Sequence, residues 1–367
     1  MKVSALLFQT TAAFVGTMLF SKTEGLALPP LPDLSNAESV YQLSEEFGLA
    51  MKDAWKAAID SNDYECERTP LSAYYRSLLE GVESDTLDAL DELYEYYAFG
   101  DWIPYANLLF NDDDTDDVFD QSTQQTNELK KRFRQMKKFW DVESDMEDVL
   151  LKSFNGQALK DTELMVLTLQ TAFYLPESYA SQLVAYAQGV IESDAALDYD
   201  SPIWSFAAFA FSYPESGLPD QINIGDGILD FFKAVDTDDA GPDYVLSHEF
   251  AHMLQFSSHI DVNFEGTPES TRYTELMADA LSAYYLAHVR GATFQDKRIE
   301  ELTVAASDLG DCAFSSNGHH GTPKQREAAA WYGAKVAAEN DSTILSPAEF
   351  AAEFNAEYST LIAPDAN

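Results

Sequence analysis

The chain has 367 residues, 46% of them hydrophobic, which is enough to bury a substantial core in one large domain or two moderate ones and excludes global disorder. Its 63 acidic residues against 22 basic ones give a formal net charge of −41, a field that opposes nucleic acid and anionic lipid surfaces and leaves neither as an expected partner. Two cysteines, Cys66 and Cys312, suit one long-range disulfide in an oxidising compartment, or two buried thiols.

Lys2 precedes an apolar run from Ala5 to Phe20, and the small residues Gly25 and Ala27 follow. The pattern predicts a secretory signal peptide over residues 1–27, and hence an extracellular protein with no stable membrane insertion after cleavage. Its removal takes away Lys2, Lys22 and Glu24, so 20 basic and 62 acidic residues remain. Residues 28–140 read as an acidic helical region, with Leu43, Phe47, Met51 and Trp55 at helical spacing, and as a possible prodomain. Within it Asp112, Asp114 and Asp116 suggest a calcium loop, but Asp117 stands where glycine is required and Thr123 where glutamate is. The basic island Lys130 to Lys138 serves either as a charged helix face, able to pair with the acidic tract before it, or, at Lys130-Lys131-Arg132, as a processing site.

Residues 141–367 carry the chemistry. Core helices are expected over Leu164–Tyr174 and Tyr179–Ile191, and strands over Ile203–Ser212 and Gln221–Ile224. A short helix over Ile228–Val235 and a turn at Gly241-Pro242 come next. His248-Glu249-Phe250-Ala251-His252 is an H-E-x-x-H sequence inside a glycine- and proline-free stretch from Tyr244 to Phe256, so it belongs on a helix. Residues four apart stack on one helix face, so both imidazoles reach one zinc ion, with Glu249 beside them as general base for a water. All six histidines fall between positions 248 and 320, which points to one site.

A catalytic zinc takes three protein ligands and one open position. His259 fails the adjacent-helix pattern H-E-x-x-H-x-x-G-x-x-H, because Gln255 replaces the glycine and Ser258 occupies the last place. Glu275 is the better third ligand. It lies on a second helix that Thr267 caps, Pro268 opens and Glu269 follows, and that runs to about Val289. Asp279, four residues on, shares its face, and two carboxylates in an otherwise apolar segment call for a dication and for a ligating imidazole whose second N–H one of them accepts.

These elements resemble the neutral zinc metallopeptidases, a gluzincin-type group within the zincins. The shared features are H-E-x-x-H followed by x-x-Q, here ending at Gln255; E-L-x-A-D at Glu275 to Asp279; and H-G-T-x-x-Q-R at His320 to Arg326. The likeness covers roughly residues 200–335, with Ala251 where the family usually has glycine. It implies an α+β, mostly helical zincin-like domain with a small edge sheet, a peptide or protein substrate, one catalytic Zn2+, and His320 or Arg326 steadying the oxyanion. The same donors would also serve an amidase or esterase, and the acidity alone a non-catalytic extracellular binding protein.

Overall fold

The computed structural model describes residues 64–364 apart from 67–68, 112–118, 120–121, 214–215, 258, 261–266, 315, 317 and 342. The signal peptide, the helix expected around Leu43 to Trp55 and the Asp112–Asp117 tract lie outside them. Among the described residues the protein is mostly helical with one three-stranded sheet. No described helix is long and apolar enough to cross a membrane.

The sheet is central to the arrangement. Strand β1 (Leu150–Phe154) runs parallel to β3 (Gln221–Gly225), and β2 (Ala208–Phe211) pairs antiparallel on its other edge, giving the order β1-β3-β2. Because side chains alternate across a strand, Ile222 and Ile224 of β3 enter one core while Phe154, Phe209 and Phe211 of the outer strands enter another. The second core is closed by α2 (Ser84–Tyr97), α3 (Trp102–Phe110), α5 (Thr162–Ala172) and α6 (Glu177–Ser193). The first lies under α1 (Pro70–Leu78), α4 (Thr123–Phe139), α7 (Asp226–Ala234), α8 (Gly241–Phe256) and α9 (Pro268–Ala287), and under α10 (Asp296–Asp308), α11 (Pro323–Glu339) and α12 (Pro347–Leu361).

Three sequence expectations are corrected. Ile203–Ser212 is not one strand: Pro202 starts a 3-10 turn through Ser205, and extended pairing begins only at Ala208. The expected turn at Gly241-Pro242 is the first turn of α8, where proline's missing N–H costs nothing because the first N–H groups of a helix have no intrahelical acceptor. The helix placed at Ile228 starts two residues earlier, directly from the end of β3.

The elements before residue 140 pack on those after it. In α4, Arg132 donates Nε and Nη2 to Asp243 of α8 at 2.9 and 2.7 Å, and so a member of the Lys130-Lys131-Arg132 run holds the start of the histidine-bearing helix. Arg298 of α10 meets the same carboxylate at 3.2 Å. Between α9 and α11 the backbones approach so closely that a Cβ at Gly333 would lie 2.0 Å from the Ala280 carbonyl oxygen, so only glycine fits there. Cys66 and Cys312 form the expected disulfide across 246 positions. Closing so long a loop restrains the unfolded chain and stabilises the fold by roughly 3–5 kcal/mol. It also tethers the loop that carries His319 and His320.

Candidate metal centre

Helix α8 is buried nearly all round, so its polar residues must find partners inside the protein. Thr267 caps α9 in a reciprocal box with Ser270, with Pro268 at the first position, and the helix runs for 20 residues against α8 and α11. These two rigid helices bring His248, His252 and Glu275 together, with one ligand atom from each within 4.8 Å of the others. The cluster matches a gluzincin-type H-E-x-x-H metal-binding motif.

The separations between donor atoms test the fit. His248 Nε2 and His252 Nε2 are 3.1 Å apart, His248 Nε2 and Glu275 Oε2 3.1 Å, and His252 Nε2 and Glu275 Oε1 3.4 Å. A tetrahedron built on bonds of roughly 2.0–2.1 Å has edges of about 3.3 Å, and the imidazole nitrogens lie about that far from each other and each from one of the two Glu275 oxygens, so the three side chains suit a single zinc-sized cation. Glu249, only 4% exposed, leaves Oε2 buried without a partner. That orphaned oxygen, beside a donor set of two imidazoles and one carboxylate, suits a group that takes a proton from a bound water.

A supporting layer orients the ligands. His248 Nδ1 lies 2.9 Å from Asp279 Oδ1, in ion-pair range but without the angle of a good hydrogen bond. Asp279 is gripped in turn by Arg326, whose Nε and Nη2 donate at 2.8 and 2.7 Å, and by the Tyr244 hydroxyl. Nη1 donates to the Leu309 carbonyl and Nη2 also to the Tyr244 oxygen, both at 3.1 Å. All three guanidinium nitrogens are thus engaged within this network. On the second imidazole, His252 Nδ1 is 2.8 Å from Gln255 Oε1, and the Gln255 amide donates to the Thr274 carbonyl at 2.8 Å.

His320 arrives on the loop before α11. Asp311 receives its backbone N–H at 2.8 Å and stands 3.1 Å from its Nδ1, while the other Asp311 oxygen is 2.6 Å from His319 Nδ1. Asp311 and Tyr244 were not singled out from sequence. The carboxylate nine residues before His320 carries no periodic signal to mark it, and Tyr244 enters the sequence reading only as the start of the helical stretch. His259 stays apart from the cluster, with Nε2 2.9 Å from Asp145 Oδ2.

Burial and charge set the ionisation of the site. Burial raises the Glu249 carboxyl, against the pull of His252 and His248. Burial also opposes the charge on Glu275, yet His320, His252 and His248 outweigh it and hold this carboxyl well below the usual range. His248 is pulled down by burial but lifted more strongly by Asp279 and Glu275, to about 9. His320 is likewise raised by Glu275 and Asp311 against burial.

A pH dependence follows with opposite signs for the two forms. In the metal-free chain His248 is protonated below about 9, so a metal ion must displace that proton. Zinc affinity is therefore expected to fall about tenfold per pH unit as pH drops from 9 towards 6.5. A folded pKa above the ordinary value stabilises the protonated form. That contribution to the metal-free fold is complete below 6.5 and is lost as pH rises through about 9. Competition titrations with a chromogenic chelator across this range check the first trend, and a flat affinity would refute it.

No protein-family model matches the chain. No curated protein and no solved structure matches it either.

Proposed function

We propose that this chain is an exported, zincin-like zinc metallopeptidase that hydrolyses peptide bonds. The observation that carries the reading is the convergence of His248, His252 and Glu275, with nitrogen–nitrogen and nitrogen–carboxylate separations of 3.1–3.4 Å and the unpaired Glu249 oxygen beside them. Zinc held there would supply Lewis acidity, lowering the pKa of a water towards about 7 and polarising the scissile carbonyl.

The remaining steps belong to side chains. Glu249 takes a proton from the water as its oxygen attacks the carbonyl carbon, and the burial that raises this carboxyl makes it a better base. The same group then returns the proton to the amine nitrogen as the C–N bond breaks. His320, with Asp311 behind it, is the cation that would steady the oxyanion. Arg326 acts at one remove, through Asp279 on His248. Export is supported by the Cys66–Cys312 disulfide, which suits an oxidising exterior.

The test is metal analysis of the purified, disulfide-bonded chain by mass spectrometry, beside cleavage of a casein-type substrate. About one zinc per chain is expected, with cleavage lost on chelation and restored by zinc. Protein that is metal-free when prepared without chelator, or cleavage indifferent to chelation, would overturn the reading.

A further inference from the structure

Arg272 stands out in the charge accounting of the molecule. Only 3% of it is exposed, and while Nη2 pairs with Glu269, the buried Nε and Nη1 meet no acceptor at hydrogen-bonding geometry among the described residues, although the Tyr64 and Tyr358 hydroxyls stand beside the guanidinium. A chain with 63 acidic residues against 22 basic ones has carboxylates to spare, and none of those in the described residues fills these donors. Leaving the N–H groups of a buried cation unpaired is costly, so a group that persists in this state is suited to receiving an acceptor from outside.

Its position gives that acceptor a place. Arg272 precedes Glu275 by three residues on α9, so the two share one helix face a turn apart, about 5 Å along the axis. The Tyr64 ring covers the guanidinium at 5.5 Å and stacks on Phe314 at 5.7 Å, and Phe314 lies 5.1 Å from His319. The cation on α9 is therefore linked through these rings to the loop that brings His320, and the covering ring, Tyr64, stands two residues from Cys66, which the disulfide ties to Cys312 in that loop. Its partner Glu269 is 44% exposed in its side chain against 4% for Arg272, so the ion pair runs from the surface at the carboxylate to the buried guanidinium.

We propose that Arg272 is a carboxylate-binding subsite that selects substrates with an acidic group one or two residues from the scissile bond, given about 3.5 Å of extended chain per residue. This rests on the peptidase reading above. The carboxylate is either an Asp or Glu side chain or the free carboxyl terminus of the peptide. Guanidinium donors suit both, and they offset locally a protein field that otherwise repels acidic chains.

The experiment uses the full disulfide-bonded chain and measures two quantities. Calorimetric titration compares an acetylated, amidated tripeptide containing Glu with its Gln counterpart and with a Gln peptide bearing a free carboxyl terminus. Kinetics compare kcat/KM on longer peptides with Glu or Gln at each position flanking the cleaved bond. Wild type is expected to prefer one carboxylate-bearing series by roughly 10- to 100-fold in both measurements, and Arg272→Met to erase that preference. Arg272→Lys keeps a charge beside Glu269 and safeguards the comparison if Arg272→Met folds poorly. It is expected to retain part of the preference. Equal binding of all three tripeptides by wild type, or a preference unchanged in both variants, would overturn the assignment, as would a uniform loss on every peptide. Zinc-loaded wild type that binds the carboxylate peptides selectively but cleaves none would instead sink the peptidase reading and leave the subsite standing.

Discussion

Replacing Glu249 by Gln is expected to lower kcat by about 10²- to 10⁴-fold while leaving one zinc per chain. The metal should stay because Glu249 lies outside the donor triangle of His248, His252 and Glu275. Activity should go because an amide of the same shape cannot accept the proton of the attacking water. A second readout separates this from a structural defect. Burial raises the Glu249 carboxyl, so its ionised form weighs against the fold, and a neutral amide there should leave the metal-free protein as stable or more so. Parallel measurements of kcat, zinc content and thermal midpoint check all three. Activity within threefold of wild type, or loss of zinc, would show that Glu249 is not the base.

The parts of this site that could be seen in the sequence are those with short-range periodicity. H-E-x-x-H places two imidazoles by helix geometry alone, and the Thr267-Pro268 start of α9 is written in capping chemistry, so His248, His252 and Glu275 were nameable and the structure brings them together. Asp279 was legible for a thermodynamic reason, since a second acid in an apolar helix face demands a partner. What the sequence could not show is which partner reaches it over long separations. Arg326 is 47 positions from Asp279, and the grip of Arg132 on Asp243 spans 111. Such pairings follow from the docking of α4 and α11 on α8 and α9, and no local pattern encodes that docking. The same holds for the sheet. Phe and Ala at 206–211 suit a strand or a buried turn equally, and pairing with β3 decided that extension begins at Ala208.

Arg326→Met should destabilise the metal-free protein by about 3–5 kcal/mol, the cost of stranding a buried partner charge. Asp279 is 0% exposed, and although burial opposes its charge, Arg326 above all and then His248 hold its carboxyl below the usual range. Without the guanidinium, Asp279 must either take up a proton or remain an uncompensated anion. Either outcome weakens its hold on His248, and zinc affinity should fall by about 10- to 100-fold as it does when the partners of metal ligands are removed. Denaturant unfolding with and without zinc measures the first effect and chelator competition the second. The double variant Arg326→Met with Asp279→Asn removes both charges and is expected to recover part of the stability, giving a coupling of about 1–3 kcal/mol. Were Arg326 an oxyanion donor instead, the single variant would lose kcat at saturating zinc with little change in stability or affinity. A loss under about 1 kcal/mol, which is the scale of an exposed pair, would place Arg326 outside the buried network that the geometry describes.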